Sequence, residues 1–209
     1  MSARYPVALA ISDGAGRAPD ELRSWAGGLA AAGVDAVQLR EKDLSDVERF
    51  RRARAIAEVL ADGPTRLLIN ARFDIAMISD AAGVHLPSHG VPVKDVRGAL
   101  GSTALIGRST HSVGEVDRAL EEGADYVTFG PIYDTPSKRE YGPPLGLEAL
   151  REAAGVGVPV LAIGGVTTDR LTELASTGAA GIAAIRLFQA SRAQLQTTMT
   201  RVREAFTRS

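Results

Sequence analysis

Short apolar runs alternate with amphipathic stretches along the whole chain. Pro6–Ser12, Asp35–Lys42, Arg66–Asn70, Val84–Leu86, Ala104–Ser109, Asp125–Gly130, Pro159–Ile163 and Gly181–Ile185 are brief, aliphatic or β-branched, and bounded by Gly, Pro or charge. Each predicts a short strand. Between them the pattern turns helical. Helices are predicted at Pro19–Ala32, after Ser45, at about Phe73–Asp80, near Val93–Leu100, from Ser112 to Glu122, and at Leu147–Ala154, Asp169–Thr177 and Ser191–Arg208. Pro19 suits a first helical turn. Ser45-Asp-Val-Glu48 and Ser112-Val-Gly-Glu115 carry the capping-box spacing, and Val47, Phe50, Ala53, Ala57 and Leu60 follow the first of these at helical intervals. Gly33, Gly83, Gly123 and Gly178 stand just before strands two, four, six and eight, where a left-handed residue would end the preceding helix.

Strand and helix therefore alternate eight times, and 209 residues shared among eight units is roughly 26 each. This is the pattern of a (β/α)8 TIM barrel, an α/β fold closed into one domain over residues 1–209. A doubly wound open sheet is the competing arrangement. Basic and acidic residues number 24 and 25, which gives no reason to expect nucleic acid or a membrane surface as partner. Cysteine is absent, which removes disulfides and thiolate metal sites and fits a reducing cytoplasm. The apolar run after Pro6 is too short for a signal peptide or a membrane span. The expectation is a cytoplasmic protein, with a homodimer left open.

In such barrels the chemistry collects where the strands end and the following loops begin. Strand two ends Gln38-Leu-Arg-Glu-Lys42, and its alternation sends Gln38, Arg40 and Lys42 to one face. Unpaired charge facing inward is costly, so two cations beside an amide point to a diphosphate; charges at a solvated strand edge are the other reading. Strand six runs into Thr135-Pro-Ser-Lys138, a cluster of donors stiffened by proline that suits an anion or a capped surface turn. The other strand ends supply Asn70, His85-Leu-Pro-Ser88, Ser109 with His111, Gly164-Gly165, and Ile185 with Arg186. Two anion sites emerge: Arg40, Lys42 and Lys138 form one, and the Gly164-Gly165 backbone with Arg186 forms the other. Of the histidines, His85 reads as a core residue and His89 as solvated, while His111 is the candidate for proton transfer. No His and carboxylate spacing matches a zinc site.

Gln38-Leu-Arg-Glu-Lys42, Ile69-Asn70, Ser109-Thr-His-Ser112, Gly123-Ala-Asp-Tyr126, Phe129-Gly-Pro-Ile-Tyr-Asp-Thr-Pro-Ser-Lys138 and Ala162-Ile-Gly-Gly165 resemble the thiamin phosphate synthase/TenI family, in that family's order, from about residue 7 to 188. The resemblance implies a (β/α)8 barrel acting in thiamin biosynthesis on small phosphates. A synthase joins hydroxymethylpyrimidine, carried as its diphosphate, to thiazole phosphate and releases diphosphate. TenI relatives instead isomerise a carboxythiazole phosphate, and a non-catalytic binder of such intermediates is a third reading. By resemblance, Gln38, Arg40, Lys42, Asn70, Ser109, Ser137 and Lys138 hold the pyrimidine diphosphate, and Thr135, Ser137, Gly164 and Gly165 hold the thiazole phosphate. The chain departs from the synthase pattern at the magnesium aspartates: Ala71 stands at one, and Pro87-Ser-His-Gly90 replaces the segment bearing the other. Magnesium, where used, is then expected to arrive with the substrate. The tautomerase's histidine is also missing, since Pro131 occupies that place, and Arg186 replaces a residue usually small in synthases.

Overall fold

Strands of four to six residues, rich in small and aliphatic side chains, build the wall of the molecule. The computed structural model describes residues 5–14, 16–41, 44–134 and 143–206. Within them eight strands form a closed, all-parallel barrel in sequence order: β1 (Ala8–Ile11), β2 (Ala36–Leu39), β3 (Arg66–Asn70), β4 (Gly83–Leu86), β5 (Leu105–Thr110), β6 (Tyr126–Phe129), β7 (Val160–Ile163) and β8 (Gly181–Ala184). Parallel strands covered on both faces are largely apolar. β1, β2, β4, β6 and β8 accordingly have every residue buried. The helices that cover them are α1 (Pro19–Ala31), α2 (Asp46–Leu60), α3 (Phe73–Ile78), α4 (Val93–Leu100), α5 (Val113–Glu121), α6 (Gly146–Ala154), α7 (Leu171–Ala175) and α8 (Arg192–Phe206). The predicted barrel is the one observed, and the open sheet is not.

The helix predicted from Asp169 opens as a 3-10 turn at Thr168–Arg170 and becomes α-helical at Leu171. The helix starts predicted at Ser45 and Ser112 hold, with a difference in their chemistry. Ser45 and Ser112 each accept a hydrogen bond from the backbone N–H three residues on, at 3.3 Å. Neither glutamate completes a reciprocal box with its cap residue. Glu48 instead takes the Arg51 guanidinium, and Glu115 reaches one residue further back to the N–H of His111 at 2.6 Å. Of the four glycines expected to cap helices, Gly33, Gly123 and Gly178 have φ of 82°, 82° and 88°. Gly83 does not cap a helix. Asp80, with φ 57°, takes the left-handed conformation after α3. Gly83 lies inside β4, where a Cβ would stand 1.9 Å from the carbonyl oxygen of Leu105 on β5. Close approach of two strands requires glycine there, not a turn.

The main apolar layer lies between the strands and the helices, and a smaller cluster fills the barrel itself: Leu9, Ile11, Ala36, Leu68, Leu105, Tyr126, Leu161 and Ala183. Two aspartates that precede strands stitch the wall on the opposite side from the mouth. Asp35 accepts the N–H groups of Val7 and Ala8 at 3.0 and 2.8 Å and the guanidinium of Arg203 at 2.6 Å. Asp125 does the same for the N–H of Ile106 at 2.8 Å and for Arg97 at 2.6 Å. Among the described residues no helix is long and apolar enough to cross a membrane.

Candidate active site

Inward-facing residues change character as β2 to β6 climb. β2 goes from Ala36 to Gln38, with Arg40 beyond its end; β3 goes from Leu68 to Asn70, β4 from Gly83 to His85, β5 from Leu105 through Gly107 to Ser109, and β6 from Tyr126 to Thr128. The period of two thus places an apolar plug at one end of the barrel and a polar floor at the other. β7, β8 and β1 stay apolar to the top with Ile163, Ile185 and Ile11. The result is a cavity of about 790 Å³ at the carboxyl ends of the strands, polar on one side and aliphatic on the other. A flat organic ring beside a charged group fits such a divided mouth.

Gln38, Arg40, Asn70, Ser109, His111, Gly164, Gly165, Ile185 and Arg186 all line this cavity, so the structure brings together the sequence candidates that it describes. Lys42, Thr135, Ser137 and Lys138 lie outside the described residues. Gln38 donates from Nε2 to Oδ1 of Asn70 at 2.9 Å, while its Oε1 is buried without a partner among the described residues. An orphan acceptor on a cavity floor asks for a donor from a ligand. Above it, the Arg40 backbone N–H is pinned by Ser12 Oγ at 2.8 Å, and its half-buried guanidinium has no partner among the described residues. Arg186 is exposed at the rim and is likewise unpaired there. A cation left unpaired and aimed into a cavity favours an anion.

The diglycine has a reason beyond ligand access. Gly164 and Gly165 have φ of 94° and 68°, and a Cβ on either would stand 2.6 Å from Pro131 or Tyr133 of the loop that follows β6. That loop continues the sheet, since the N–H groups of Ile132 and Tyr133 donate to Ile163 and Gly164 at 2.9 and 3.2 Å. Arg170, which the sequence reading passed over as a helix residue, locks the two loops together. Its Nη1 donates to the Gly165 carbonyl at 2.6 Å and its guanidinium carbon lies 3.9 Å from the Tyr133 ring centroid. Burial, reinforced by the hydrogen bond to Glu173, raises the Tyr133 phenol well above its ordinary range and keeps it protonated. No sequence signal separated Arg170 from an ordinary helix-start residue.

His85 differs from its sequence reading in one respect: it is a buried residue, as expected, but it also lines the cavity. Its Nδ1 is 3.0 Å from Tyr126 Oη, and its Nε2 is 3.0 Å from Ser109 Oγ and 3.3 Å from Thr128 Oγ1. Burial, with the positive charge of Arg108 adding to it, pulls the imidazole down to about 3, so the ring is neutral. Inward parity with Asn70 and Ser109 was the signal available in the sequence. His111 Nδ1 lies 2.6 Å from the carbonyl oxygen of Gly130; a carbonyl only accepts, so Nδ1 carries a proton and donates it there. His89 is exposed, as expected, and lines a separate cavity of about 310 Å³ with Arg108, Arg118 and Glu122. Arg108 points away from the mouth and donates to the carbonyls of Val91 and Ser88 at 2.7 and 2.8 Å.

The donor set fits anions better than a hard divalent cation. Asp134 is the lone carboxylate among the described residues lining the mouth, and no group of three His, Cys, Asp or Glu among the described residues could hold a metal. At the end of β3 the chain offers the methyl of Ala71, held at φ 62°. The neighbouring Arg72 is spent on Asp74 and Asp46, which its hydrogen bonds hold below the usual carboxylate range.

Comparison with known proteins agrees with this geometry. The family described as thiamine monophosphate synthase matches residues 8–188. A putative thiamine-phosphate synthase from Geobacter sulfurreducens is 45% identical over 159 residues, covering 76% of this chain and 75% of that one. A thiamine-phosphate synthase from Methanoculleus marisnigri is 40% identical over 173 residues, covering 82% and 81%. Among solved structures, a thiamine phosphate pyrophosphorylase from Pyrococcus furiosus superposes with a TM-score of 0.83 at 28% identity, over 95% of this chain and 96% of that one.

Proposed function

The chain belongs to the thiamine monophosphate synthase family, and from that premise we propose that it catalyses the synthase reaction of thiamin biosynthesis. Hydroxymethylpyrimidine diphosphate and thiazole phosphate become thiamin phosphate and diphosphate. The bond between the pyrimidine methylene and the diphosphate oxygen breaks, its electron pair leaves with the diphosphate, and the thiazole nitrogen's lone pair forms the new carbon–nitrogen bond. Such a step needs no nucleophilic side chain. It needs stabilisation of the leaving charge and two rings held in line.

One observation carries the proposal. Two residues apart, on β2 and just past its end, an acceptor left buried without a partner among the described residues (Gln38 Oε1) lies below a cation likewise unpaired there (Arg40), and both line the same cavity. An aminopyrimidine bearing a diphosphate presents an N–H donor and a polyanion in that order. In this reading Arg40 takes the growing charge, with Lys42 and Lys138 as its partners, while Asn70 and Ser109 add donors. Thr135, Ser137, the Gly164–Gly165 backbone and Arg186 take the thiazole phosphate, and Ile185 flanks its ring. Magnesium enters as part of the diphosphate substrate, since the described mouth contributes Asp134 as its lone carboxylate.

The test is direct. Purified protein with both substrates and magnesium should form thiamin phosphate, followed by conversion to a fluorescent thiochrome. Product no greater than the enzyme-free background overturns the proposal. A parallel incubation with carboxythiazole phosphate, comparing wild type with His111→Ala, would show the tautomerase if that is the activity.

A further inference from the structure

Below Ser109 lies a hydrogen-bonded group whose other members, His85, Tyr126 and Thr128, have no task in the proposed reaction. Tyr126, His85, Ser109 and Thr128 come from three adjacent strands, and their contacts form a chain that runs from the apolar plug to the cavity. Room for the chain is made by Gly107, whose Cβ would stand 2.2 Å from Cζ of Tyr126. The Tyr126 ring therefore lies in the gap left by a missing side chain, and this puts its hydroxyl on His85.

Proton positions in this chain follow from its partners. Tyr126 is fully buried, its phenol is raised far out of range by desolvation, and His85 Nδ1 is its hydrogen-bond partner. A buried O–H left unused costs more than an unused acceptor lone pair, so Tyr126 donates and Nδ1 accepts. A neutral imidazole has one N–H, which must then be on Nε2. Nε2–H donates to Ser109 Oγ at 3.0 Å, with Thr128 Oγ1 at 3.3 Å as a weaker second acceptor. Ser109, which lines the cavity, thereby has its oxygen occupied from below and its own O–H turned free.

We propose that Tyr126 and His85 are a positioning pair that fixes the tautomer of the imidazole and so presents the Ser109 hydroxyl to the cavity as a hydrogen-bond donor for an anion. The identity of that anion as a diphosphate rests on the function proposed above; the proton arrangement does not. With the opposite tautomer, Ser109 would donate to His85 and turn lone pairs toward an incoming polyanion, which would repel it.

Two measurements test the pair. In the unliganded wild type, 15N imidazole NMR, with the His85 signals identified by their loss in His85→Gln, should show a protonated Nε2 and a bare Nδ1. A protonated Nδ1 overturns the proposal whether or not the tyrosine and serine variants fold. Calorimetry with inorganic pyrophosphate in magnesium-containing buffer should show Tyr126→Phe binding about tenfold more weakly than wild type. In a Ser109→Ala background the same change should have almost no further effect, because the tyrosine acts through the serine. Equal losses in both backgrounds mean that Tyr126 only packs, and they overturn the proposal, as does a wild type that binds no pyrophosphate. The thiamin phosphate assay separates the two readings. A wild type that couples Tyr126 to Ser109 but forms no product keeps the pair and removes the synthase; an active wild type with the inverted tautomer does the reverse.

Discussion

The Arg40 side chain has no hydrogen-bond or ion-pair partner among the described residues, and this makes its contribution measurable. Its guanidinium is half-buried and unpaired among the described residues, so Arg40→Gln should leave the melting temperature within about a degree of wild type. Turnover to thiamin phosphate should fall by about 10²- to 10³-fold, the usual loss when one preorganised donor to a developing charge is removed; steady-state kinetics beside a thermal melt checks both. His85 is the opposite case, a residue whose titration is felt by the whole fold. Its imidazole is held near 3 in the native state, chiefly by burial and secondarily by Arg108, while an unfolded histidine titrates near about 6.5. Between those values the unfolded chain binds the extra proton. Stability therefore rises with pH through this window, levels off above it, and is lost as pH falls, by up to about 1.4 kcal/mol per pH unit. Urea midpoints from pH 7 to 4 should decline more steeply for wild type than for His85→Gln. Asp46 and Asp74, paired with Arg72, lie in both proteins and cancel in the difference. Equal slopes would mean that the buried ring is protonated in the native state.

At the scale of elements, the strand-leading aspartates make a claim that can be tested twice in one molecule. Asp35 satisfies two backbone N–H groups of the β1 segment and anchors α8 through Arg203, and Asp125 ties β5 to β6 and receives Arg97. Replacing either with Ala leaves amides without their acceptor and should cost about 2–4 kcal/mol in denaturant unfolding. Because β2 and β6 stand on different sides of the barrel, the double variant should lose the sum of the two within about 0.5 kcal/mol. These elements were legible in the sequence because a barrel strand is buried on both faces and a surface helix on one, two patterns that differ over a few residues. Strand ends were read slightly too long, as at Asp35–Lys42 against Ala36–Leu39, since inward polar residues continue the alternation after the hydrogen-bonded ladder stops. Gly83 was misread for a physical reason: a glycine demanded by a neighbouring strand looks the same in a sequence as one demanded by a turn. Gln38 and Arg40 were legible through parity alone, whereas Arg170 was not, because its role depends on loops brought together from two strands.

For the molecule as a whole, net charge and local charge point in opposite directions. The chain carries a formal charge of −1, which by itself would slightly repel a polyanionic substrate. The mouth, however, collects Arg40, Arg170 and Arg186 against Asp134 among the described residues, and a low-dielectric barrel rim focuses such a field outward. Capture of the diphosphate substrate should therefore follow the mouth and not the total. Since the field is screened over about 8–10 Å at physiological salt, kcat/KM for the diphosphate should fall as sodium chloride is raised from about 0.02 to about 0.5 M (about 25-fold in ionic strength), while kcat at saturation changes little. Arg186 stands at the rim without a partner among the described residues, so Arg186→Gln should flatten that dependence. Arg118 faces the separate lateral cavity, so Arg118→Gln, with the same change in net charge, should leave the dependence as it was. A salt response that tracked both variants equally would place the attraction in the overall charge. It would also deprive the convergence of cations at the barrel mouth of its part in substrate capture.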